Sequence, residues 1–172
     1  MQTQWLESSP RHDKLGVIAR INQLAAAMRA RGEQVLFVRH GNDEALPGSA
    51  GFQIHPALLV DDGDRIIDKR ACDPFADTAL MAVLQEIGTN TLYVCGLATE
   101  FCVDSALRAA LSRGFDVVAL ADAHTTGDRP HLQAGAIVEH HNWVWANLAV
   151  PHGRTVRVEA VAAVLAATTR AP

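Results

Sequence analysis

Several features are scarce in this chain of 172 residues, and each scarcity excludes a class of protein. Cysteine occurs three times, an odd number without regular spacing, which argues against a disulfide framework and for a reducing compartment. No apolar run approaches the length of a membrane span, and fifteen basic against nineteen acidic residues leave no cationic stripe for nucleic acid. Residues 1–6 have neither the basic nor the apolar region of a signal peptide. We therefore expect one cytoplasmic domain over residues 1–172, with neither nucleic acid nor membrane as a partner.

Lysine is also scarce, because thirteen of the fifteen basic residues are arginines. The two lysines are Lys14 and Lys69, and Lys69 follows a predicted strand. A lysine offers a compact ammonium where arginine offers a forked, permanently charged guanidinium. Lys69 could therefore stabilise an anion in a site. The alternative is a solvent-facing lysine between Asp68 and Arg70.

Helical and strand patterns alternate along the chain. The predicted strands cover residues 35–38, 65–68, 91–95, 116–120 and 155–158. The predicted helices cover residues 15–31, 78–87, 102–113 and 131–148, with a short alanine-rich helix after the last strand. This alternation predicts an α/β fold with a parallel sheet covered by helices on both faces.

Four residues follow directly after predicted strands, namely Arg39, Lys69, Gly96 and Asp122. In open sheets of this type, ligands bind at the carboxyl ends of the strands. We therefore expect these four residues to share one crevice.

The segment 92–109 is the clearest functional signal. An apolar strand runs into Gly96, and a helix then opens with Cys102 in its first turn. The partial positive charge and unpaired N–H groups of a helix N-terminus favour thiolate over thiol, so Cys102 is a candidate nucleophile. The alternative is a buried cysteine at a helix start. Cys95 ends a buried strand and is expected to act as a small hydrophobe, and Cys72 is expected to be incidental, although a place near the site is open to it.

Residues 96–103, Gly-Leu-Ala-Thr-Glu-Phe-Cys-Val, resemble the nucleophile motif of the isochorismatase-like cysteine hydrolases, the superfamily that includes nicotinamidases. Lys69, the stretch 75–80 and Ala-Asp-Ala at 121–123 fit the same pattern. The resemblance covers nearly the whole chain. It implies a three-layer α-β-α fold around a mainly parallel, six-stranded, Rossmann-like sheet, and a Cys-Lys-Asp triad in which Cys102 is the nucleophile and Lys69 the lysine.

The resemblance also implies a non-proline cis peptide bond between Leu97 and Ala98. In that arrangement the N–H groups of Ala98 and Cys102 would form an oxyanion hole. Glu100 would stand beside the nucleophile.

The triad aspartate is the point of departure from the family pattern. In relatives it ends the first strand, and here Met1 and Gln2 resemble the residues that follow it. We therefore expect the first, central strand and its aspartate upstream of Met1. Without that strand, each buried and unpaired backbone group of its neighbours would cost about 1–3 kcal/mol. Asp13 is a conceivable substitute base, but it heads the first helix and is expected to cap it.

A cysteine nucleophile favours cleavage of a C–N bond of amide type through a thioester intermediate. Three other functions stay open. The chain could be a non-catalytic family member that lacks the aspartate, or a hydrolase of an isochorismate-like ether. A nucleotide-binding Rossmann-type protein is disfavoured because no G-x-G-x-x-G follows a strand.

Residues 48–56 and 140–142 resemble the streptothricin-hydrolase-like branch of the superfamily, and this resemblance suggests which residues line the substrate pocket. This view assigns to the pocket Gln2, Trp5, His40, Phe52 and Phe101. Core packing is the alternative for the aromatic residues. The partner would be a small molecule, and the chain would form a homodimer or a homotetramer.

No metal and no cofactor are expected. The nicotinamidase metal site of Asp-x-His and a second His is replaced here by Arg-His-Gly-Asn-Asp at 39–43, with His55 as the next histidine. His124 is expected to order a turn. The run His-His-Asn at 140–142 is expected to be a polar helix face or a subunit contact.

Overall fold

Alternating strands and helices form the framework of the molecule. The structure, a computed structural model, describes residues 1–168, so the last four residues of the expected domain lie outside the described part. The helices are α1 (Thr3–Glu7), α2 (Lys14–Ala30), α3 (Leu80–Ile87), α4 (Asp104–Ser112), α5 (Ala134–Ala146) and α6 (Val161–Thr168). The strands are β1 (Leu36–His40), β2 (Arg65–Lys69), β3 (Thr91–Leu97), β4 (Asp116–Thr125) and β5 (Val156–Glu159). No helix in these 168 residues has the length and apolar character needed to cross a bilayer.

The alternation of side chains along β4 produces the expected three layers. Val118 and Leu120 pack into one apolar cluster with residues of α2 and α6. Val117 and Ala119, between them, pack into a second cluster with residues of α3, α4 and α5. Because successive side chains of a strand point to opposite faces, these two clusters lie on the two sides of the strands. The predicted α/β class and its α-β-α layering are therefore confirmed.

The strands form two sheets rather than one. β1 pairs in parallel with β2, and β3, β4 and β5 form a second parallel sheet in that order. A cavity of about 800 Å³ is lined by residues 35–38 on one side and 91–97 on the other, so β1 and β3 face the same space. The count of six strands is not confirmed, because residues 1–168 form five and none lies between β1 and β3.

Element boundaries differ from expectation around the carboxyl end of β3. The register of β3 on β4 shifts between Val94 and Gly96, and pairing then resumes with His124 and Thr125. β4 therefore extends five residues beyond the predicted end at Leu120. This extension explains why Asp122 lies within a strand and not after one.

Candidate functional site

Cys102 lies in a π-helical turn, Thr99–Val103, that follows β3 and leads directly into α4. The peptide bond Leu97–Ala98, just before this turn, is cis, as expected. The helix predicted to open at Cys102 in fact begins at Thr99 as a π-turn, and its α-helical part begins at Asp104. π-Turns of this kind recur at functional sites. The thiol is half-buried and lines the large cavity.

The carbonyl of Ala98 fixes the turn. It accepts hydrogen bonds from the N–H groups of Phe101 (3.1 Å) and Val103 (3.2 Å). An oxyanion hole formed by the N–H groups of Ala98 and Cys102 stays a prediction.

Lys69 and His40 are register partners at the carboxyl ends of β2 and β1. Paired residues of neighbouring strands point to the same face, and both side chains line the cavity that Cys102 lines. Lys69 is only 6% exposed, and its Nζ donates to the carbonyl of Cys72 at 2.7 Å. His40 Nδ1 lies 3.9 Å from Cys102 Sγ. Burial lowers the pKa of His40, and the positive charge of Lys69 lowers it further.

No carboxylate in residues 1–168 forms an ion pair with Lys69 or a hydrogen bond with Cys102. Glu100, which precedes the nucleophile by two positions, accepts instead from Arg129 Nε at 2.7 Å and from the Thr126 hydroxyl at 3.0 Å. Its Oε1 is thus committed away from the thiol, while Oε2 is buried without a partner in residues 1–168. The aspartate that the resemblance implies stays a prediction.

Asp13 does not serve as the expected cap. It occupies the N-cap position of α2 with a left-handed backbone (φ 45°), but its side chain makes no capping hydrogen bond. Its carboxylate instead forms an ion pair with Arg20.

The prediction that the four residues after the strand ends share one crevice is only partly correct. Lys69 and Gly96 line the cavity. Arg39 instead binds the carboxylate of Asp68 (2.7 Å), its register partner on β2. Asp122, drawn into β4, accepts the N–H of Val161 at 2.9 Å and so caps α6.

Gln2 holds the end of β1 in place. The carboxamide is 2% exposed; it accepts the N–H of His40 (2.7 Å) and donates to the carbonyls of His40 (3.1 Å) and Phe52 (2.8 Å). Because its hydrogen bonds are used within the chain, Gln2 lines the cavity as a positioning residue.

The aromatic residues assigned to the pocket divide into two groups. Trp5 and Phe101 line the cavity; Phe101 is 50% exposed, and the guanidinium of Arg129 lies 5.3 Å from its ring centroid. Trp5 meets His40 edge-on at 6.2 Å between ring centroids. Phe52 is 2% exposed and does not line the cavity, because its ring packs under Arg39. Its burial favours the core-packing alternative, and its assignment to the pocket stays a prediction.

The other two thiols and the α-amino group of Met1 surround the site. Burial raises the pKa of Cys95 to about 11, so this thiol stays protonated at neutral pH. Cys72 lies on the cavity wall and so closer to the site than expected. Burial raises its pKa, and the neighbouring Cys102 thiol raises it further. Burial lowers the pKa of the Met1 α-amino group, which lies near Cys95, Cys102 and Lys69. The raised pKa values of Cys95 and Cys72 therefore favour the thiol form of both at neutral pH.

A chain of hydrogen bonds links the first residue of the π-turn to β4 and α5. The sequence analysis did not predict these hydrogen bonds. The Thr99 hydroxyl contacts His124 Nδ1 at 2.8 Å, and His124 Nε2 contacts the amide oxygen of Asn142 at 3.0 Å. Asn142 Nδ2 in turn donates to the carbonyl of Ala121 at 2.9 Å. His124 thus lies within β4 and not in a turn, and Asn142 is half-buried on the side of α5 that faces β4. The only signal was the resemblance around 140–142.

The remaining histidines make contacts away from the thiol. His55 Nε2 contacts the Glu7 carboxylate at 2.9 Å, and His140 is exposed on α5. Within the described part of the chain, no three His, Cys, Asp or Glu side chains cluster as metal ligands would.

The similarity of this chain to known proteins is consistent with the geometry of the site. The model of the isochorismatase domain matches residues 1–158. Streptothricin hydrolase of Streptomyces noursei is 33% identical over 127 residues, which are 72% of this chain and 50% of that protein. The ureidoacrylate amidohydrolase RutB of Methylorubrum extorquens is 30% identical over 153 residues, covering 70% of this chain and 62% of that protein.

The fold agrees as well. A crystal structure of an isochorismatase family protein superimposes with a TM-score of 0.84 at 29% identity, and the match covers 91% of this chain and 92% of that one. The chain spans about half to two thirds of the length of the two curated relatives. Because the domain match takes in nearly all of the sequence, the chain belongs to the isochorismatase family.

Proposed function

We propose that this protein is a cysteine-dependent hydrolase that cleaves a C–N bond of amide type in a small molecule. The observation that carries the proposal is the half-buried thiol of Cys102, which faces a cavity together with the buried ammonium of Lys69. The names of the two relatives, streptothricin hydrolase and ureidoacrylate amidohydrolase, support hydrolysis and, for the second, an amide-type bond.

The proposed reaction begins with attack of the Cys102 thiolate on the carbonyl carbon. Lys69 stabilises the thiolate, and the N–H groups of Ala98 and Cys102 hold the oxyanion of the tetrahedral intermediate. The amine leaves with a proton, and the acyl group stays on sulfur as a thioester. Water then attacks the thioester, releases the acid and returns the proton to Cys102.

The pocket supports a small substrate with a hydrogen-bond acceptor. Trp5 Nε1 is buried and has no partner among residues 1–168, so a ligand oxygen can accept from it. The exposed ring of Phe101 offers an apolar face beside the nucleophile. A homodimer or homotetramer and a cytoplasmic location stay predictions.

Replacement of the nucleophile tests the proposal. The wild type and Cys102→Ala are assayed against a panel of small amides and ureas. We expect Cys102→Ala to hydrolyse none of the compounds that the wild type hydrolyses, because the attacking sulfur atom is gone. The circular dichroism spectrum should be unchanged, since the thiol is not in the core. Cys95→Ala is the matched control and should retain activity.

Thiol labelling separates an enzyme from a non-catalytic family member. An activated Cys102 should react with iodoacetamide at neutral pH far faster than Cys95, whose raised pKa keeps it protonated. Equal and slow labelling of both thiols, or hydrolysis that survives Cys102→Ala, would refute the proposed function.

A further inference from the structure

We propose that Cys102 and Cys72 form a reversible disulfide when the protein is exposed to hydrogen peroxide, and that Cys72 is the thiol that resolves the oxidised nucleophile. This inference rests on the reactive Cys102 thiol of the proposed function and adds to it a second thiol and a site of oxidative modification. The observation that carries it is the position of both thiols, together with the buried ammonium of Lys69, on the wall of one cavity.

Contacts at the ends of β1 and β2 connect the two cysteines. Cys72 follows Lys69 by three positions, and its carbonyl accepts a hydrogen bond from Lys69 Nζ at 2.7 Å. Lys69 pairs in register with His40 on the neighbouring strand, and His40 Nδ1 lies 3.9 Å from Cys102 Sγ. Both cysteines therefore belong to one compact group of side chains.

The loop that carries Cys72 is also held against the helix that follows the nucleophile. Asp73 forms an ion pair at 3.2 Å with Arg113, the residue after α4. Phe75 packs in one apolar cluster with Val103, which directly follows the nucleophile in the chain. Because these contacts are made on one side of Cys72 and the Lys69 hydrogen bond on the other, the thiol stays close to the π-turn.

Of the two other thiols, Cys72 is the one that interacts with Cys102. Burial is the first cause that raises the pKa of Cys72, and the charge of Cys102 and a hydrogen bond with its side chain raise it further. Cys95 lies instead against the apolar cluster of α2 and α6. A disulfide requires Cα atoms about 4–7 Å apart. Residues 70–79, between β2 and α3, include no helix or strand that would resist a small adjustment toward that distance.

The charges around Cys72 favour a fixed order of events. A negative charge on Cys102 raises the pKa of Cys72 and so keeps this thiol protonated. Oxidation of Cys102 to a neutral sulfenic acid removes that charge, whereas the ammonium of Lys69, which lowers the pKa of Cys72, remains. Cys72 therefore becomes the better nucleophile only after its partner has been oxidised.

Atoms and electrons balance over two steps. The Cys102 thiolate first attacks one oxygen of hydrogen peroxide, the O–O bond breaks, and a sulfenic acid and hydroxide form. The sulfur of Cys72 then attacks the sulfur of Cys102, the S–S bond forms, and the S–O bond breaks as hydroxide leaves. The protons of the two original thiols convert both hydroxides to water. The two sulfur atoms thus supply the two electrons that reduce the peroxide.

The test begins with the wild type and needs no substrate. The protein is treated with excess hydrogen peroxide, free thiols are blocked with iodoacetamide, and the chain is digested without reductant. We expect a peptide that joins Cys72 to Cys102 and an intact mass lower by two hydrogens. Alkylation of Cys102 should be lost and should return with dithiothreitol, because the thiol reduces a disulfide by exchange.

The inference and the proposed function can fail separately in this experiment. Absence of the joined peptide from the peroxide-treated wild type would overturn the inference, even if Cys102 is alkylated rapidly before treatment. The initial rate of alkylation tests the proposed function, since it reports the reactivity of Cys102 alone.

Cys72→Ala tests the resolving role. Without Cys72 the same treatment should carry Cys102 to the sulfinic or sulfonic acid, a gain of two or three oxygens that dithiothreitol does not reverse. Cys95→Ala is the matched control and should form the disulfide and recover as the wild type does. A Cys72→Ala protein whose Cys102 recovers as completely as that of the wild type would show that Cys72 is not the resolving thiol.

Discussion

The ammonium group of Lys69 sits in surroundings that few lysines tolerate. It is 6% exposed, its hydrogen bond goes to one backbone carbonyl, and no carboxylate pairs with it in residues 1–168. A buried charge without a counter-charge is costly, so an anion placed beside Lys69 would be strongly stabilised. The thiolate of Cys102, on the wall of the same cavity, is that anion in the proposed mechanism.

Lys69→Met should therefore separate stability from reactivity. Because methionine removes a buried charge and keeps much of the volume, the free energy of unfolding should be unchanged or higher. The alkylation rate of Cys102 at neutral pH should fall about tenfold, because the thiolate loses its neighbouring cation. Urea denaturation and mass-spectrometric labelling measure the two quantities.

Lys14→Met provides the matched control, since this second lysine pairs with Glu7 at the surface. It should leave the labelling of Cys102 unchanged. A Lys69→Met protein that labels as fast as the wild type would contradict the role given to Lys69.

Among the elements, the π-turn Thr99–Val103 depends on a contact made from β4. Thr99 is 0% exposed, and its hydroxyl bonds to His124, which in turn bonds to Asn142 on α5. Burial is the larger cause that lowers the pKa of His124, so the ring is neutral at neutral pH and offers one donor and one acceptor. Three elements are thus joined through one imidazole at the start of the π-turn that carries Cys102.

Thr99→Val should break this chain at constant volume. It leaves His124 Nδ1 buried without a partner, which should lower the free energy of unfolding by about 1–3 kcal/mol. Urea denaturation gives that value, and Thr89→Val, whose hydroxyl bonds only to the nearby Thr91 carbonyl, is the comparison. An equal effect of both substitutions would show that His124 does not depend on Thr99.

On the scale of the whole molecule, α2 joins two sheets that share no backbone ladder. Ile21 and Leu24 of α2 pack in one cluster with Phe37 of β1 and Val118 of β4. At its end, Arg29 binds Asp64, next to β2, at 2.9 and 2.6 Å. The helix therefore anchors the first sheet against the second through one apolar face and one ion pair.

The Asp64 carboxylate, 2% exposed, makes that anchor sensitive to pH. Burial alone would raise its pKa, but the Arg29 hydrogen bonds and the N–H of Asp61 outweigh it, and the pKa is lowered. Its stabilisation is then complete above the ordinary value near pH 4 and is lost as the pH falls through the lowered pKa. Asp64→Asn should lower the free energy of unfolding at neutral pH by about 1–3 kcal/mol.

Urea denaturation between neutral and acid pH checks this sign. The difference between wild type and Asp64→Asn should shrink as the pH falls below about 4. Exposed Asp62→Asn is the control. A difference that grows toward acid pH would contradict the assignment.

Local sequence patterns predicted a large part of the fold. Apolar periodicity located every helix beyond α1 and all five strands, although β4 runs five residues beyond its predicted end, because the pattern records which face of each element is buried. The motif around Gly96 and Cys102, together with the scarce Lys69, led to two residues that line one cavity in the structure.

Contacts between distant residues and the burial of individual aromatic residues could not be predicted from a single sequence. Gln2 and His40 lie 38 positions apart, and Thr99 and His124 lie 25 apart, so no local pattern reports either contact. Phe52 and Phe101 are the same residue type, yet one is in the core and the other is half exposed. Only the packing of their surroundings separates them.

The sequence by itself determined the succession of elements and the chemistry available at Cys102 and Lys69, because periodicity and residue type are local properties. The tertiary structure alone decided that His40 lies beside the thiol. It also decided that Glu100, Asp13 and Asp122 are committed to other partners. These outcomes depend on distances between residues remote in the chain, which strand register and helix packing set.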